Sequence, residues 1–334
     1  MALIGANDLP RGSFFKKPYK SIHEGLSVPM RVLFIFLDGV GLGADNPNIN
    51  PFARMEMPFL QGLLGGKKLL ANSAPYVGER ATLLPIDAAL GVHGLPQSAT
   101  GQAVLLTGIN VAKEIGEHYG PKPNPAVARY LLNGNLFSQA VKRRKTAALL
   151  NAYPPRYFEG VDSGKRLYSA IPMAVTSAGL RLLDKADYYA GRALSADFTG
   201  SGWRGMLGYP DAPVYEPRDA GRKLADLANQ YDFALFEYWA SDYAGHKQDM
   251  NWGCEQLKTF DEVLRGLCDQ WHDNAGLILI TSDHGNMEDL STRRHTDAKV
   301  PGLLIGSPAA RAAFEAGLDD LTGIYQRILG LISP

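Results

Sequence analysis

Seven side chains in this chain of 334 residues have types and spacing that allow joint chemistry: Asp38, Ser98, Asp242, His246, Asp283, His284 and His295. Asp283 and His284 come just after the apolar run Leu277-Ile278-Leu279-Ile280, past Thr281 and Ser282, and His295 comes eleven residues after His284. A short apolar run bounded by Gly276 and turn formers reads as a buried parallel strand. In open α/β sheets, ligands collect where loops leave the carboxyl ends of strands. One carboxylate and two imidazoles in such a loop make half of a metal site. Asp38 stands in the matching place, where Arg31–Leu37 empties into Asp38-Gly39-Val40-Gly41-Leu42-Gly43. That glycine pattern is not a dinucleotide fingerprint, because no G-x-G-x-x-G opening a helix follows. A third apolar run, Phe233–Phe236, leads to Asp242 and His246, four apart and so on one face of a helical turn.

The hydroxyls sit differently. In Leu95-Pro-Gln-Ser98-Ala-Thr100-Gly-Gln-Ala-Val-Leu-Leu-Thr-Gly108, either Ser98 or Thr100 can cap a helix that stops at Gly108. A helix N-terminus offers free N–H groups and a favourable dipole to an anion. A hydroxyl there is a plain cap, or else a nucleophile whose attacked phosphate is held by the helix end. The combined oxygen and imidazole donors suit zinc or manganese better than magnesium. Two such ions about 3.5–4 Å apart activate a nucleophile and neutralise charge on a transferring phosphoryl group.

The elements that must position these residues read as α/β throughout. Strands are expected at Arg31–Leu37, Lys145–Leu150, Phe233–Phe236, Leu277–Ile280 and Val300–Ile305. Helices are expected near Pro58–Leu64, Ala126–Val141, Asp219–Gln230 and 253–270, with 45–95 otherwise rich in loops. Residues 1–28 are polar and without period, an arm or surface loop. From Asn151 to about Arg218 periodicity weakens, which reads as an inserted cap. The expected division is a core of 30–150 and 219–330 with a cap of 151–218. The composition is that of a globular protein, 46% apolar and 20% charged. Formal net charge is zero, so no nucleic-acid surface or basic membrane patch is indicated. No apolar run approaches a membrane span, and the N-terminus lacks a secretory h-region. Cys254 and Cys268 read as thiols in a reducing compartment, and a cytoplasmic enzyme is the default expectation.

In this order the motifs LDGVG (37–41), QSATGQ (97–102), SDYAGH (241–246), TSDHGNME (281–288) and RHTDAKVPGLLIG (294–306) resemble the alkaline phosphatase superfamily of binuclear metalloenzymes. The nearest likeness is to its cofactor-independent phosphoglycerate mutase and phosphopentomutase branch, over roughly 30–150 and 219–330. The resemblance implies a doubly wound, mostly parallel sheet and two divalent ions. It implies one ion held by Asp38, Ser98, Asp283 and His284, and another by Asp242, His246 and His295. Ser98 would be the nucleophile, forming a phosphoseryl intermediate.

The departures bear on the reaction. Gln97 precedes Ser98, and Gln102 stands where those mutases carry histidine. A cap of roughly 65 residues is small beside a mutase lid, which must exclude water from the intermediate. Hydrolysis of a small phosphate ester, by a phosphatase or phosphodiesterase, is therefore the expected activity. A phosphomutase is the alternative, and a non-catalytic metal-binding protein the reading from a different class. Candidate substrate contacts are Thr100, His118, Arg156, Arg192 and Lys299, with Lys165, Arg166, Arg181 and Arg204 as further cap cations. Tyr153, Tyr157 and Trp203 could line a pocket.

Overall fold

The computed structural model describes residues 30–332, so the arm expected over 1–28 lies outside the described residues. Its strands are β1 (Arg31–Leu37), β2 (Tyr76–Val77), β3 (Ala81–Ile86), β4 (Ala147–Leu149), β5 (Phe233–Tyr238), β6 (Gly276–Thr281) and β7 (Val300–Ile305). They form one sheet in the order β2-β3-β7-β6-β1-β5-β4. Apart from the first residue of β1, every residue of β1, β5, β6 and β7 is buried, as an unbroken apolar run requires when both faces are covered.

This is the doubly wound α/β sheet expected, with parallel pairing confined to one half. β4, β5, β1 and β6 run parallel to one another. β6–β7, β7–β3 and β3–β2 are antiparallel. The physical reason lies in the connection from β6 to β7. It contains no crossover helix, and the chain turns straight back through the loop that carries Asp283, His284 and His295.

Side chains alternate across β1 and divide the core. Val32, Phe34 and Phe36 face a layer that includes the helices Ser98–Thr107, Pro125–Asn133, Leu136–Lys142, Ala170–Ser177 and Thr322–Ile332. Leu33, Ile35 and Leu37 face the opposite layer, built largely on Pro217–Ala228 and Met250–Gln270. The Ser98–Thr107 helix is buried at every position, so it has no solvent face and is fixed from all sides.

Three readings change in detail. The helix expected over Ala126–Val141 is two, because Gly134 takes φ 156° and Asn135 opens a new helix with a capping box. The stretch 45–95 contains β2 and β3, hidden in the sequence by Pro85. In the sheet Pro85 lies opposite Pro301. Each points its missing N–H to the outside of the β3–β7 pair, past the last residues with which β2 and β6 pair. Cys254 and Cys268 are both free. Fourteen residues apart on one helix, they are separated by about 21 Å of helical rise and cannot bridge.

Residues 151–218 divide among three groups. Ala170–Ser177 joins the first layer, Leu194 and Phe198 join the second, and Ala152, Leu183, Tyr188, Ala193, Trp203 and Ala212 cluster on their own. Among the described residues no helix is long and apolar enough to cross a membrane.

Candidate metal centre

Four chain segments deliver the site. Asp38 follows β1, and its N–H donates to Tyr238 O at 2.9 Å, while Ser241 Oγ donates to its carbonyl at 2.5 Å. Gly39 turns the chain at φ +67°, where a Cβ would stand 2.6 Å from Asp242 Oδ1. No larger residue fits between Asp38 and its neighbour. Asp242 and His246 share the short helix Ala240–Lys247, with Nε2 3.2 Å from Oδ2. Asp283 and His284 leave β6 fully buried. Ser98 opens its buried helix with Oγ 3.0 Å from His284 Nε2.

The donor atoms fall into two groups, Asp38–Asp283–His284 and Asp242–His284–His295. His284 Nε2 lies 3.4 Å from Asp38 Oδ1 and 3.6 Å from Asp283 Oδ1. His295 Nε2 lies 3.6 Å from Asp242 Oδ1. His246 joins the second group at its open edge, its Nε2 3.4 Å from His295 Nε2. All seven residues singled out in the sequence therefore converge, with His284 at the junction rather than within one set alone.

The imidazoles are oriented from behind. Nδ1 of His295 donates to Pro96 O at 2.8 Å, and Nδ1 of His246 to Arg293 O at 2.7 Å. Nδ1 of His284 lies 3.3 Å from Gly285 O. Each contact turns Nε2 toward the carboxylates, the orientation a metal-binding histidine needs. The rings of His284 and His295 stack with centroids 3.7 Å apart.

Burial and mutual repulsion raise the carboxyl pKa values here. Burial, then Asp283, push Asp38 up to about 7, and burial raises Asp283 as well. Burial alone would lower His284, but Asp283 and Asp38 carry it up to about 10. Burial and the neighbouring His284 bring His295 down to about 4. Asp242 stays low against burial because His246 is bonded to it. Three carboxylates gathered in one buried place call for positive charge. Asp38 Oδ1 is buried without a hydrogen-bond partner. Divalent ions fit this donor set and would satisfy that orphaned oxygen.

A supporting shell escaped the sequence reading, although all its members lie in or beside the motifs already noted. Asn286 Nδ2 donates to Asp242 Oδ1 at 2.8 Å, and Gln102 Nε2 to Asp283 Oδ2 at 3.3 Å. Glu288 accepts from the amides of Gly41 and Asn286 at 2.9 and 2.8 Å and from the Thr296 hydroxyl. Glu288 thus ties the Asp38 loop to the His284 loop. Gln102 thus orients a carboxylate from the Ser98–Thr107 helix.

The candidate substrate contacts are more scattered. Thr100 Oγ1 bonds to Gln97 O, Tyr119 O and Tyr119 N at 3.1, 3.3 and 3.1 Å, so it braces the 119–120 segment rather than facing the carboxylates. His118 belongs to neither donor group, and its Nε2 is buried without a hydrogen-bond partner. Arg192 is paired with Asp187, as is Arg181, and Arg204 donates to Ala212 O. Arg156 and Lys299 are exposed. Trp203 is core, packed on Tyr188.

The chain resembles known proteins over part of its length. A family model described as the metalloenzyme superfamily matches residues 211–333. The 2,3-bisphosphoglycerate-independent phosphoglycerate mutase of Desulforudis audaxviator is 30% identical over 142 residues, 39% of this chain and 28% of that protein. Its namesake from Methylobacillus flagellatus is 30% identical over 133 residues, 37% of this chain and 26% of that protein. The chain thus matches little more than a quarter of the length of these relatives. Among solved structures, the PH0037 protein from Pyrococcus horikoshii shares the fold, with a TM-score of 0.54 and 14% identity over 92% of this chain and 98% of that one. Over residues 211–333 the chain is thus similar to the metalloenzyme superfamily. Over part of its length it is similar to 2,3-bisphosphoglycerate-independent phosphoglycerate mutases.

Proposed function

We propose that the protein transfers the phosphoryl group of a small phosphate ester to Ser98 and then to water, acting as a phosphatase or phosphodiesterase. The observation that supports this most is the position of Ser98. Its hydroxyl heads a buried helix, 3.0 Å from His284, beside two carboxylate–imidazole groups. Asp38, Ser98, Asp283 and His284 would hold one divalent ion, and Asp242, His246 and His295 another, with zinc or manganese fitting the donors best. Ions so held would lower the proton affinity of the serine hydroxyl and neutralise charge on the phosphoryl oxygens.

The chain's own groups do the rest. Ser98 Oγ attacks phosphorus while the bond to the departing alcohol breaks, leaving a phosphoserine that water then cleaves. The first turn of the Ser98–Thr107 helix offers amide N–H groups to the anion. Its Thr100 N–H is already bound to Tyr119 O, so Ser98 and Ala99 supply the free ones. Residues 30–150 and 219–330 act as the metalloenzyme core, and part of 151–218 as a cap beside it.

The test is phosphate release from p-nitrophenyl phosphate and its bis ester with added manganese or zinc, in wild type and in Ser98→Ala. Turnover lost only in the variant, with phosphoserine detected at Ser98 after acid quench, supports the reading. Full turnover in Ser98→Ala would remove it. A second reading, intramolecular transfer, is favoured by the names of the two relatives. It predicts isomerisation of a phosphorylated sugar or glycerate without free phosphate.

A further inference from the structure

Resting on the reading of the centre as a phosphoester site, we infer that Trp239 and Tyr243 form an aromatic face beside it. This face takes the alcohol part of the substrate and selects esters in which that part is a flat, unsaturated ring.

The helix Ala240–Lys247, which carries Asp242 and His246, has two sides. Ala240, Ser241, Ala244 and Gly245 are buried, and a Cβ on Gly245 would stand 2.1 Å from Asn286 Oδ1. The start of the helix is tied to the Asp38 loop on either side of Trp239. The Asp38 N–H donates to Tyr238 O at 2.9 Å, and Ser241 Oγ donates to Asp38 O at 2.5 Å. Tyr243 N–H donates to Trp239 O at 3.3 Å, so helical spacing already holds at Trp239. Residues 239, 242, 243 and 246 therefore stand at i, i+3, i+4 and i+7 of one stripe. At about 100° per residue, Asp242 and His246 line one edge of it, and Trp239 and Tyr243 the other.

The centre opens on this stripe. The His246 side chain is 45% exposed, whereas those of Asp38, Asp242, Asp283, His284 and His295 are 17% exposed or less. An ester with its phosphoryl group among these donors must keep its alcohol part on the open side, along the aromatic edge. Trp239 and Tyr243 are 46% and 49% exposed, and among the described residues every other Phe, Tyr and Trp is better covered. The two rings that the fold leaves most open to water thus share the helix at the mouth of the centre. Tyr243 is held in place, with Trp252 edge-on at 5.4 Å and Lys247 Nζ 5.4 Å from its ring, so a ligand need not order it. A flat ring laid on the pair would remove apolar surface from water, as a saturated ring also does, and would gain stacking besides. An aryl group and a nucleobase both meet that description.

The test measures binding to the manganese-loaded chain carrying Ser98→Ala, so that turnover plays no part. Calorimetry compares phenyl phosphate with cyclohexyl phosphate, and adenosine 5′-monophosphate with ribose 5-phosphate. In at least one pair the flat-ring ester should bind about fivefold or more tightly. The pair with the larger ratio tells an aryl group from a nucleobase. Binding of the flat ring should also quench tryptophan fluorescence. Trp239→Ala should abolish most of the preference together with the quenching, and Tyr243→Ala should remove a smaller part of the preference. Trp239→Phe should keep much of the preference while losing the quenching. Thermal melting of each variant separates misfolding from lost recognition. Equal affinity within both pairs, or a preference unchanged in folded Trp239→Ala, would overturn the aromatic face. If none of the four esters binds, the phosphoester reading itself fails, and the aromatic face with it.

Discussion

The metal centre and the stretch 151–218 use charged residues in opposite ways. At the centre, three carboxylates and three imidazoles are packed together with more negative charge than their surroundings balance, and Asp38 Oδ1 is left without a partner. In 151–218, charge is mostly consumed in place. Asp187 takes Arg181 and Arg192, and Asp197 accepts from Gly200 N, Gly202 N and nearby hydroxyls. The two regions differ less in how much charge they hold than in how much buried charge is left without a hydrogen-bond partner.

The largest losses are expected at the metal centre. Ser98→Ala should lower turnover by about 10³-fold or more while leaving the fold intact, since the nucleophile is one member of a unit. Steady-state assays with protein checked by circular dichroism measure it, and a loss under tenfold would contradict the role. Next come the supports. Asn286→Ala frees Asp242 and Gln102→Ala frees Asp283. Each should weaken metal affinity by about 10–100-fold, the usual cost of removing an outer partner of a ligand, as read by competition with a chelating dye.

On the other side of the comparison, Phe198→Ala should cost stability rather than chemistry. Its ring stacks on Phe236 and Tyr238 with centroids 4.6 and 5.0 Å apart. The expected loss is about 3–5 kcal/mol, read from denaturant unfolding, and an unchanged midpoint would show that the stretch is not anchored there. The smallest effect concerns pH. Arg181, and with it Arg192, hold the Asp187 carboxyl well below the usual range. A depressed carboxylate adds stability above its unfolded value near pH 4, and that contribution is lost as pH falls toward the folded value. Both arginines are more than half exposed, so the contribution is about 1 kcal/mol or less. Asp187→Asn should flatten the decline in stability between about pH 4 and pH 2.

Much of the centre was legible because strand ends are marked twice, by an apolar run and by the polar residue that ends it. Asp38, Asp283 and His284 announce themselves this way, and Asp242 by its four-residue spacing to His246. Less visible was anything whose meaning depends on a partner far along the chain. Glu288 is one acidic residue in a loop until Gly41, 247 residues away, donates to it. Pro85 argues against a strand until Pro301 is found opposite. Arg192 resembles a substrate clamp until Asp187 is seen to occupy it. Periodicity also missed the break at Gly134, because both helices keep the same apolar spacing across it.

Phosphoryl transfer at this site requires metal content and turnover to move together. The protein, stripped with chelator and reloaded with manganese or zinc, should bind about two ions per chain and regain phosphoester turnover in step with them. His284→Ala, which removes the donor common to both groups, should bind fewer ions and stay inactive. Turnover that survives complete metal removal, or a His284→Ala protein with full metal content and activity, would contradict that requirement.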